Sequence, residues 1–236
     1  MKRLLLCAAL ALAGPVAAQT APVEGQTVQP PVAEGGYRYQ LFLPRGYARA
    51  RARLPLMIFL HGSGERGEDI ERVKANGPPR LVGTQPDFPF VLVSPLLAAD
   101  ADWDQARLDA LLAHVERTHR VDPDRIVLTG LSRGAHAVWR WAAARPDRFA
   151  AIAPVSGRGD PISACRLREA AVWAFHGDAD DVVEPEGSTA MAAAIRDCGG
   201  APRLTIYPGV GHDAWTAAYA DPALSRWLLA QRRRPR

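Results

Sequence analysis

The amino-acid sequence predicts an α/β fold in which a mostly parallel central sheet carries helices on both faces. Three observations carry that expectation. Continuous apolar runs over 54–60, 90–94 and 125–129 lack the polar–apolar alternation of a half-exposed strand and read as strands covered on both sides. Helical patterns over 103–119, 134–144, 185–198 and 222–231 fall between or after such runs, and strands alternating with helices build parallel sheets. Glycine-rich segments follow several strand runs, at the carboxyl ends where open α/β sheets form their sites.

Taken in order, Met1-Lys2-Arg3 is a basic segment ahead of an apolar run over 4–13 that is too short to span a bilayer. Val16-Ala17-Ala18 offers small residues to a signal peptidase, so residues 1–18 read as a signal peptide that takes Cys7 with it. Nothing later is long and apolar enough to span a membrane, so the mature chain is expected to be exported, periplasmic or secreted, with no membrane span. Loss of Lys2 and Arg3, and of no acid, lowers the formal net charge from +4 to +2, too mild a balance to argue for nucleic acid.

Residues 19–36, rich in Pro, Gly, Gln and Val, read as a flexible leader. The alternation over 37–43 reads as a half-exposed edge strand, ended by Pro44-Arg45-Gly46. Runs at 149–155, 172–175 and 203–207 complete the strand series, and 37–231 is one domain's worth of chain. The arginine-rich stretch 232–236 reads as a solvated basic tail. Cys165 and Cys198 remain, and an exported protein can oxidise them; a bridge is expected, with two buried free thiols as the alternative.

The most informative stretch is Gly130-Leu131-Ser132-Arg133-Gly134, set between the strand run 125–129 and the helical pattern that follows. A G-x-S-x-G turn between strand and helix is tight enough that only glycines leave room, and it thrusts the serine out at the helix N-terminus. Ser132 is the expected nucleophile. His61-Gly62-Ser63-Gly64-Glu65-Arg66-Gly67 ends the first central strand, and such a loop can bring a backbone N–H close to a reacting carbonyl. The oxyanion hole is assigned to the N–H groups of Ser63 and Arg133, whose side chains the role does not require. Asp178, Asp180 and Asp181 crowd the end of the strand at 172–175, and one of them should orient a histidine. His212, in the glycine-rich loop after 203–207, is that histidine. Serine, then acid, then histidine is the order of a serine hydrolase on this topology.

On these residues the chain resembles an α/β-hydrolase of the carboxylesterase/phospholipase-like group, close to exported predicted esterases and peptidases with an HGxGERG loop. The resemblance covers nearly all of 37–231 and rests on four segments: 61–67, 130–134, 176–183 and 211–215. It implies that the acid is Asp180, the second Asp of an H-G-x-x-D-x-x-V pattern. Asp181 stands where a proline is common. Asp178 is then expected to be tied to the backbone of its own loop.

Other residues weigh less. His61, Gly62 and Trp215 are placed at the substrate pocket, with His61 and His176 also read as loop-orienting. His136 is assigned to the core, Trp139 and Trp141 to helix packing, and Glu65 with Arg66 to an ion pair holding the oxyanion loop. Arg133 points either at an anionic substrate or to solvent. His114 and His119 are five apart on a helix and face different ways, and no zinc motif appears, so no metal and no cofactor are expected. The expected partner is a small-molecule ester; the oligomeric state is not legible. Two competing readings are a serine peptidase for small peptides and a non-catalytic binding protein that retained the fold. The first lacks any gating domain. The second does not need the chemistry at Ser132, Asp180 and His212.

Overall fold

A computed structural model describes residues 22–233. The signal peptide expected over 1–18 and the last residues of the basic tail, 234–236, lie outside that span. Eight strands form one sheet: β1 (Gly25–Gln29), β2 (Tyr39–Leu43), β3 (Leu54–Leu60), β4 (Val91–Pro95), β5 (Val121–Leu131), β6 (Ala151–Val155), β7 (Ala171–Gly177) and β8 (Arg203–Tyr207). Their order is β1-β2-β4-β3-β5-β6-β7-β8. The pairs β1·β2 and β2·β4 are antiparallel and all others parallel. The helices are α1 (Gly77–Leu81), α2 (Gln105–Thr118), α3 (Arg133–Ala144), α4 (Glu186–Asp197), α5 (Trp215–Ala220) and α6 (Pro222–Ala230).

The apolar runs divide between two cores because successive side chains of a strand point to opposite faces. Leu56, Ile58 and Leu60 of β3 join one core with Ile126 and Leu128 of β5, under α2, α3 and α4. Met57 and Phe59 of β3 join the other with Val127 and Leu131, under α5 and α6. Both faces are therefore dry, which is why these strands show no alternation. α2 buries Leu108, Leu111, Leu112 and Val115, one stripe at helical spacing, worth roughly 1.5–3 kcal/mol for each side chain. It starts where the Asp104 carboxylate accepts the Arg107 N–H at 2.8 Å.

Two sequence expectations change at the sheet edge. Residues 25–29, read as flexible leader, form edge strand β1, held by its backbone ladder to β2. Val28 of this strand remains exposed, so no buried alternation announced it. With that edge covered, β2 is not half-exposed: all five of its residues are buried, and Gln40 donates its side-chain N–H to Glu71 at 2.9 Å. The basic tail is also partly engaged. Arg232 pairs with Asp122 at 3.2 Å and Arg233 with Asp124 at 2.7 Å, at the start of β5.

Cys165 and Cys198 are joined as a disulfide, with Cα atoms 5.2 Å apart. The bridge ties the 3-10 helix over Pro161–Leu167 to the residue that ends α4. Closing a loop of 33 residues should stabilise the fold by about 3–4 kcal/mol through the unfolded chain. The double variant Cys165→Ala/Cys198→Ala is thus expected to lose stability of that order in a denaturant titration, and mass spectrometry of unreduced peptides should show the two joined. A stability loss below about 1 kcal/mol would remove the bridge from the account of stability.

Candidate active site

Ser132 sits between β5 and α3 with φ 50° and ψ −118°, a backbone state that a side-chain-bearing residue adopts only under constraint, at a cost of order 1–3 kcal/mol. Two bonds hold it there: its N–H donates to the Val155 carbonyl at 2.9 Å, and its carbonyl accepts the His136 N–H at 3.1 Å. The helix behind it approaches β3 so closely that a Cβ on Gly134 would fall on the Leu60 carbonyl. That backbone contact leaves no side chain able to give way, which explains the second glycine of the pentapeptide.

The structure brings the three residues of the expected triad together. Ser132 Oγ lies 2.9 Å from His212 Nε2, and His212 Nδ1 lies 2.8 Å from Asp180 Oδ2. Trp215 stands edge-on to the His212 ring, with centroids 5.1 Å apart and planes at 88°. Asp180 is buried and accepts four N–H groups. Its Oδ1 takes the N–H groups of Val182 at 3.0 Å and Val183 at 2.9 Å; its Oδ2 takes His212 Nδ1 and, at 3.0 Å, His176 Nε2. Burial works against its charge, but the Val183 N–H, His212 and the Val182 N–H outweigh it and hold the carboxyl below the usual carboxylate range.

His176 is the participant whose role the sequence understated. It is completely buried at the end of β7. Its Nε2 faces two acceptors, Asp180 Oδ2 and the Val183 carbonyl at 2.8 Å, so that nitrogen carries a proton. Its Nδ1 meets Ser188 Oγ at 2.7 Å. His176 therefore presents a second imidazole N–H to the oxygen that His212 uses. The signal lay in the i,i+4 spacing of His176 and Asp180 within one tight turn. The other two carboxylates are elsewhere: Asp181 is exposed, and Asp178 accepts the Gly209 N–H at 2.6 Å. Asp178 thus ties the neighbouring loop, the one carrying His212, rather than its own.

The loop after β3 is organised from below. Glu65 is buried and takes the Gly62 N–H at 3.0 Å and the Asn76 side-chain N–H at 2.5 Å. The expected Glu65–Arg66 pair does not form; Arg66 donates to the Ser63 carbonyl at 3.3 Å instead, because the buried donors claim the carboxylate first. His61 is likewise no pocket residue. It is fully buried, accepts the Leu97 N–H at Nε2 (3.0 Å) and has Nδ1 2.7 Å from the Gly62 carbonyl, and burial holds its pKa below the usual histidine value. Gly62 lies against Ser132, but its N–H is spent on Glu65.

Ser63 and Arg133 are linked directly: Arg133 Nε donates to Ser63 Oγ at 2.8 Å, and Arg133 also reaches Asp102 at 3.5 Å. The Arg133 side chain is thereby drawn across to the loop after β3. Its backbone N–H opens α3, where helix geometry leaves the first N–H groups without intrahelical acceptors. His136, assigned to the core from sequence, is half-buried on a cleft wall. Trp139 and Trp141 are packed as expected. Among the described residues no three His, Cys, Asp or Glu side chains gather to hold a metal ion.

Comparison with known proteins supports an esterase-type hydrolase. The sequence model of the dienelactone hydrolase family matches residues 88–223, more than half of the chain. "Putative esterase NocK" of Nocardia uniformis subsp. tsuyamanensis is 31% identical over 168 residues, covering 65% of this chain and 48% of that protein. A thermostable esterase superposes with a TM-score of 0.70 at 28% identity, over 83% of this chain and 59% of its own. A ferulic acid esterase shares the fold, with a TM-score of 0.63 at 19% identity over 81% and 91%. The chain spans about half the length of the curated relative it matches.

A carboxylate held below its ordinary pKa contributes stability above that ordinary value, near 3.9, and loses it as pH falls through the lowered one. The stability gap between wild type and Asp180→Asn should therefore be widest above about pH 4 and shrink in acid. Denaturant titrations from neutral pH to below pH 3 test this; a gap that does not vary with pH would show that Asp180 is not stabilised as an anion.

Proposed function

The chain belongs to the dienelactone hydrolase family, and we propose that it is a serine hydrolase that cleaves carboxylic esters through an acyl-serine intermediate. Ser132 is the nucleophile, His212 the general base and acid, and Asp180 the carboxylate that orients His212. The observation that carries the reading is the unbroken line from Ser132 Oγ to His212 Nε2 at 2.9 Å and from His212 Nδ1 to Asp180 Oδ2 at 2.8 Å.

The chemistry follows from that line. Asp180 accepts the Nδ1–H, which leaves Nε2 as the free base facing Ser132. As Oγ attacks the ester carbonyl, Nε2 takes its proton, and Asp180 stabilises the imidazolium. Negative charge gathers on the carbonyl oxygen, where the N–H groups of Ser63 and Arg133 receive it at the positive end of α3. The imidazolium then protonates the departing alcohol, and water repeats the sequence to free the acid. Base catalysis supplies roughly 10²–10⁴-fold and each oxyanion donor roughly 10²–10³-fold.

The strain at Ser132 supports an enzyme over a binding scaffold. A binding protein has no use for a serine held at positive φ, with its hydroxyl against an oriented imidazole. Residue 212 enters on a short loop directly over the nucleophile, and Trp215 beside it offers one wall for substrate. The disulfide supports export, since oxidising compartments preserve such bridges, and among the described residues no helix is long and apolar enough to cross a membrane.

Ser132→Ala is expected to fold and to lose nearly all turnover of para-nitrophenyl acetate, by several orders of magnitude. Asp180→Asn should approach a 10⁴-fold loss, the value known for tautomer reversal in a serine protease. Asp181→Asn should cost less than tenfold, and Asp178→Asn should act chiefly on stability through the Gly209 bond. Measured at matched folded fraction, a crippled Asp178→Asn or Asp181→Asn beside an active Asp180→Asn would reassign the acid. Near-normal turnover by Ser132→Ala would dismiss the triad.

A further inference from the structure

The two proposed oxyanion donors are held in different ways. The Arg133 N–H opens α3, so the helix itself fixes its direction. The Ser63 N–H lies on an exposed stretch between Gly62 and Gly64, and a Cβ on Gly64 would meet nothing within 4 Å. Peptides flanked by glycine rotate with little steric resistance, and rotation there would turn the N–H away from Ser132. An oxyanion donor has to sit about 2.7–3.1 Å from where the charge develops, so a loop this open needs ties.

Several ties are present. His61 accepts the Leu97 N–H at Nε2, so its Nδ1 carries the proton and donates to the Gly62 carbonyl at 2.7 Å. That carbonyl is the other end of the peptide unit whose N–H belongs to Ser63. Arg66 donates to the Ser63 carbonyl at 3.3 Å, and Arg72 to the Gly64 carbonyl at 2.5 Å. The Ser63 side chain adds a longer reach: its Oγ accepts Arg133 Nε at 2.8 Å, across 70 positions of sequence. Arg133 thus carries one donor on its main chain and grips the residue that carries the other.

Arg133 is itself braced. Its guanidinium lies 3.5 Å from Asp102, and Arg140, two turns along the same face of α3, lies 3.6 Å from the other oxygen of that carboxylate. Arg140 also donates to the Trp103 carbonyl at 2.8 Å, and the Trp103 ring meets His61 with centroids 5.0 Å apart. Burial works against the charge of Asp102, but the Trp103 N–H and the charges of Arg140 and Arg133 outweigh it and hold the carboxyl below its ordinary range. An anion is therefore in place to anchor the guanidinium. Exposed ion pairs contribute little to stability, so position accounts for these contacts better than stabilisation does.

We propose that the Arg133 side chain is a positioning residue for the oxyanion hole: anchored on Asp102 and bound to Ser63 Oγ, it sets the spacing between the Ser63 and Arg133 N–H donors. The inference rests on the ester-hydrolase reading and adds a residue to its machinery.

A double-mutant cycle on para-nitrophenyl acetate tests it, with kcat expressed per site titrated by a fluorophosphonate. Arg133→Met and Ser63→Ala both keep the backbone donors and break only the side-chain bond. Each should lower kcat by about ten- to hundredfold, the scale of a donor displaced by about 1 Å, with KM within about threefold of wild type. The double variant should lose no more than either single one, because all three lack the same bond. Arg133→Lys, which keeps a donor, should recover part of the loss. Trifluoroacetone, whose adduct with Ser132 carries the oxyanion, should inhibit both single variants about ten- to hundredfold more weakly. Ser63→Ala, on an exposed loop, keeps the test open if Arg133→Met does not fold. A kcat for Ser63→Ala within twofold of wild type, additive losses in the double variant, or unchanged inhibition by trifluoroacetone would each overturn the proposal while leaving the esterase reading intact. Absence of any Ser132-dependent turnover in the wild type would refute the esterase reading, and the proposal with it.

Discussion

The Asp180 carboxylate gathers N–H donors from three stretches of chain: the end of β7 through His176, its own turn through Val182 and Val183, and the loop after β8 through His212. A buried charge is tolerable only when hydrogen-bonded on most of its acceptor sites, and here every oxygen has two donors. The consequence is geometric. Because Oδ1 is pinned by the backbone, Oδ2 has a fixed position, and the His212 ring is aimed by it. His176 guards that position from the other side, with its own Nδ1 backed by Ser188, whose hydroxyl reaches the Gly157 carbonyl at 3.1 Å.

Ser132, the proposed nucleophile, is held by a different device, the packing of backbone against backbone. α3 lies against β3 at Gly134, β5 and β6 clasp the turn through the Ser132 N–H, and the strained φ of Ser132 persists because both neighbours are rigid. Glu65 plays the organising part for the loop after β3. It is a second buried carboxylate, bonded to Gly62 and Asn76, and it shapes the segment that presents Ser63. Arg133 then ties that segment to the nucleophile turn through Ser63 Oγ. The ends of β3, β5, β7 and β8 are thus joined into one site by short bonds, those of the Glu65 and Arg133 side chains among them.

What the sequence made legible were features with local signatures. Apolar runs without alternation marked β3, β4 and β5, and the strand–turn–helix setting of 130–134 marked Ser132. Features that depend on partners distant in sequence were not legible. β1 is a strand because β2 offers an open ladder, and Gly25–Gln29 has no buried stripe of its own to declare it. β2 looked half-exposed because its polar Gln40 finds Glu71 across 31 positions. Glu65 stood next to Arg66, and only the fold shows that Gly62 and Asn76 take its oxygens. His61 and His136 traded places for the same reason: tertiary neighbours bury the first and open a cleft beside the second.

The central claim is that Ser132 is made nucleophilic by His212 under the direction of Asp180. The most direct measurement is the rate at which a neutral fluorophosphonate labels the protein, with the adduct mapped by peptide mass spectrometry. One adduct per chain, on Ser132, forming at least a hundredfold more slowly in His212→Ala and in Asp180→Asn, is the predicted result. Labelling spread over other residues, or labelling of Ser132 at a rate indifferent to both substitutions, would contradict it.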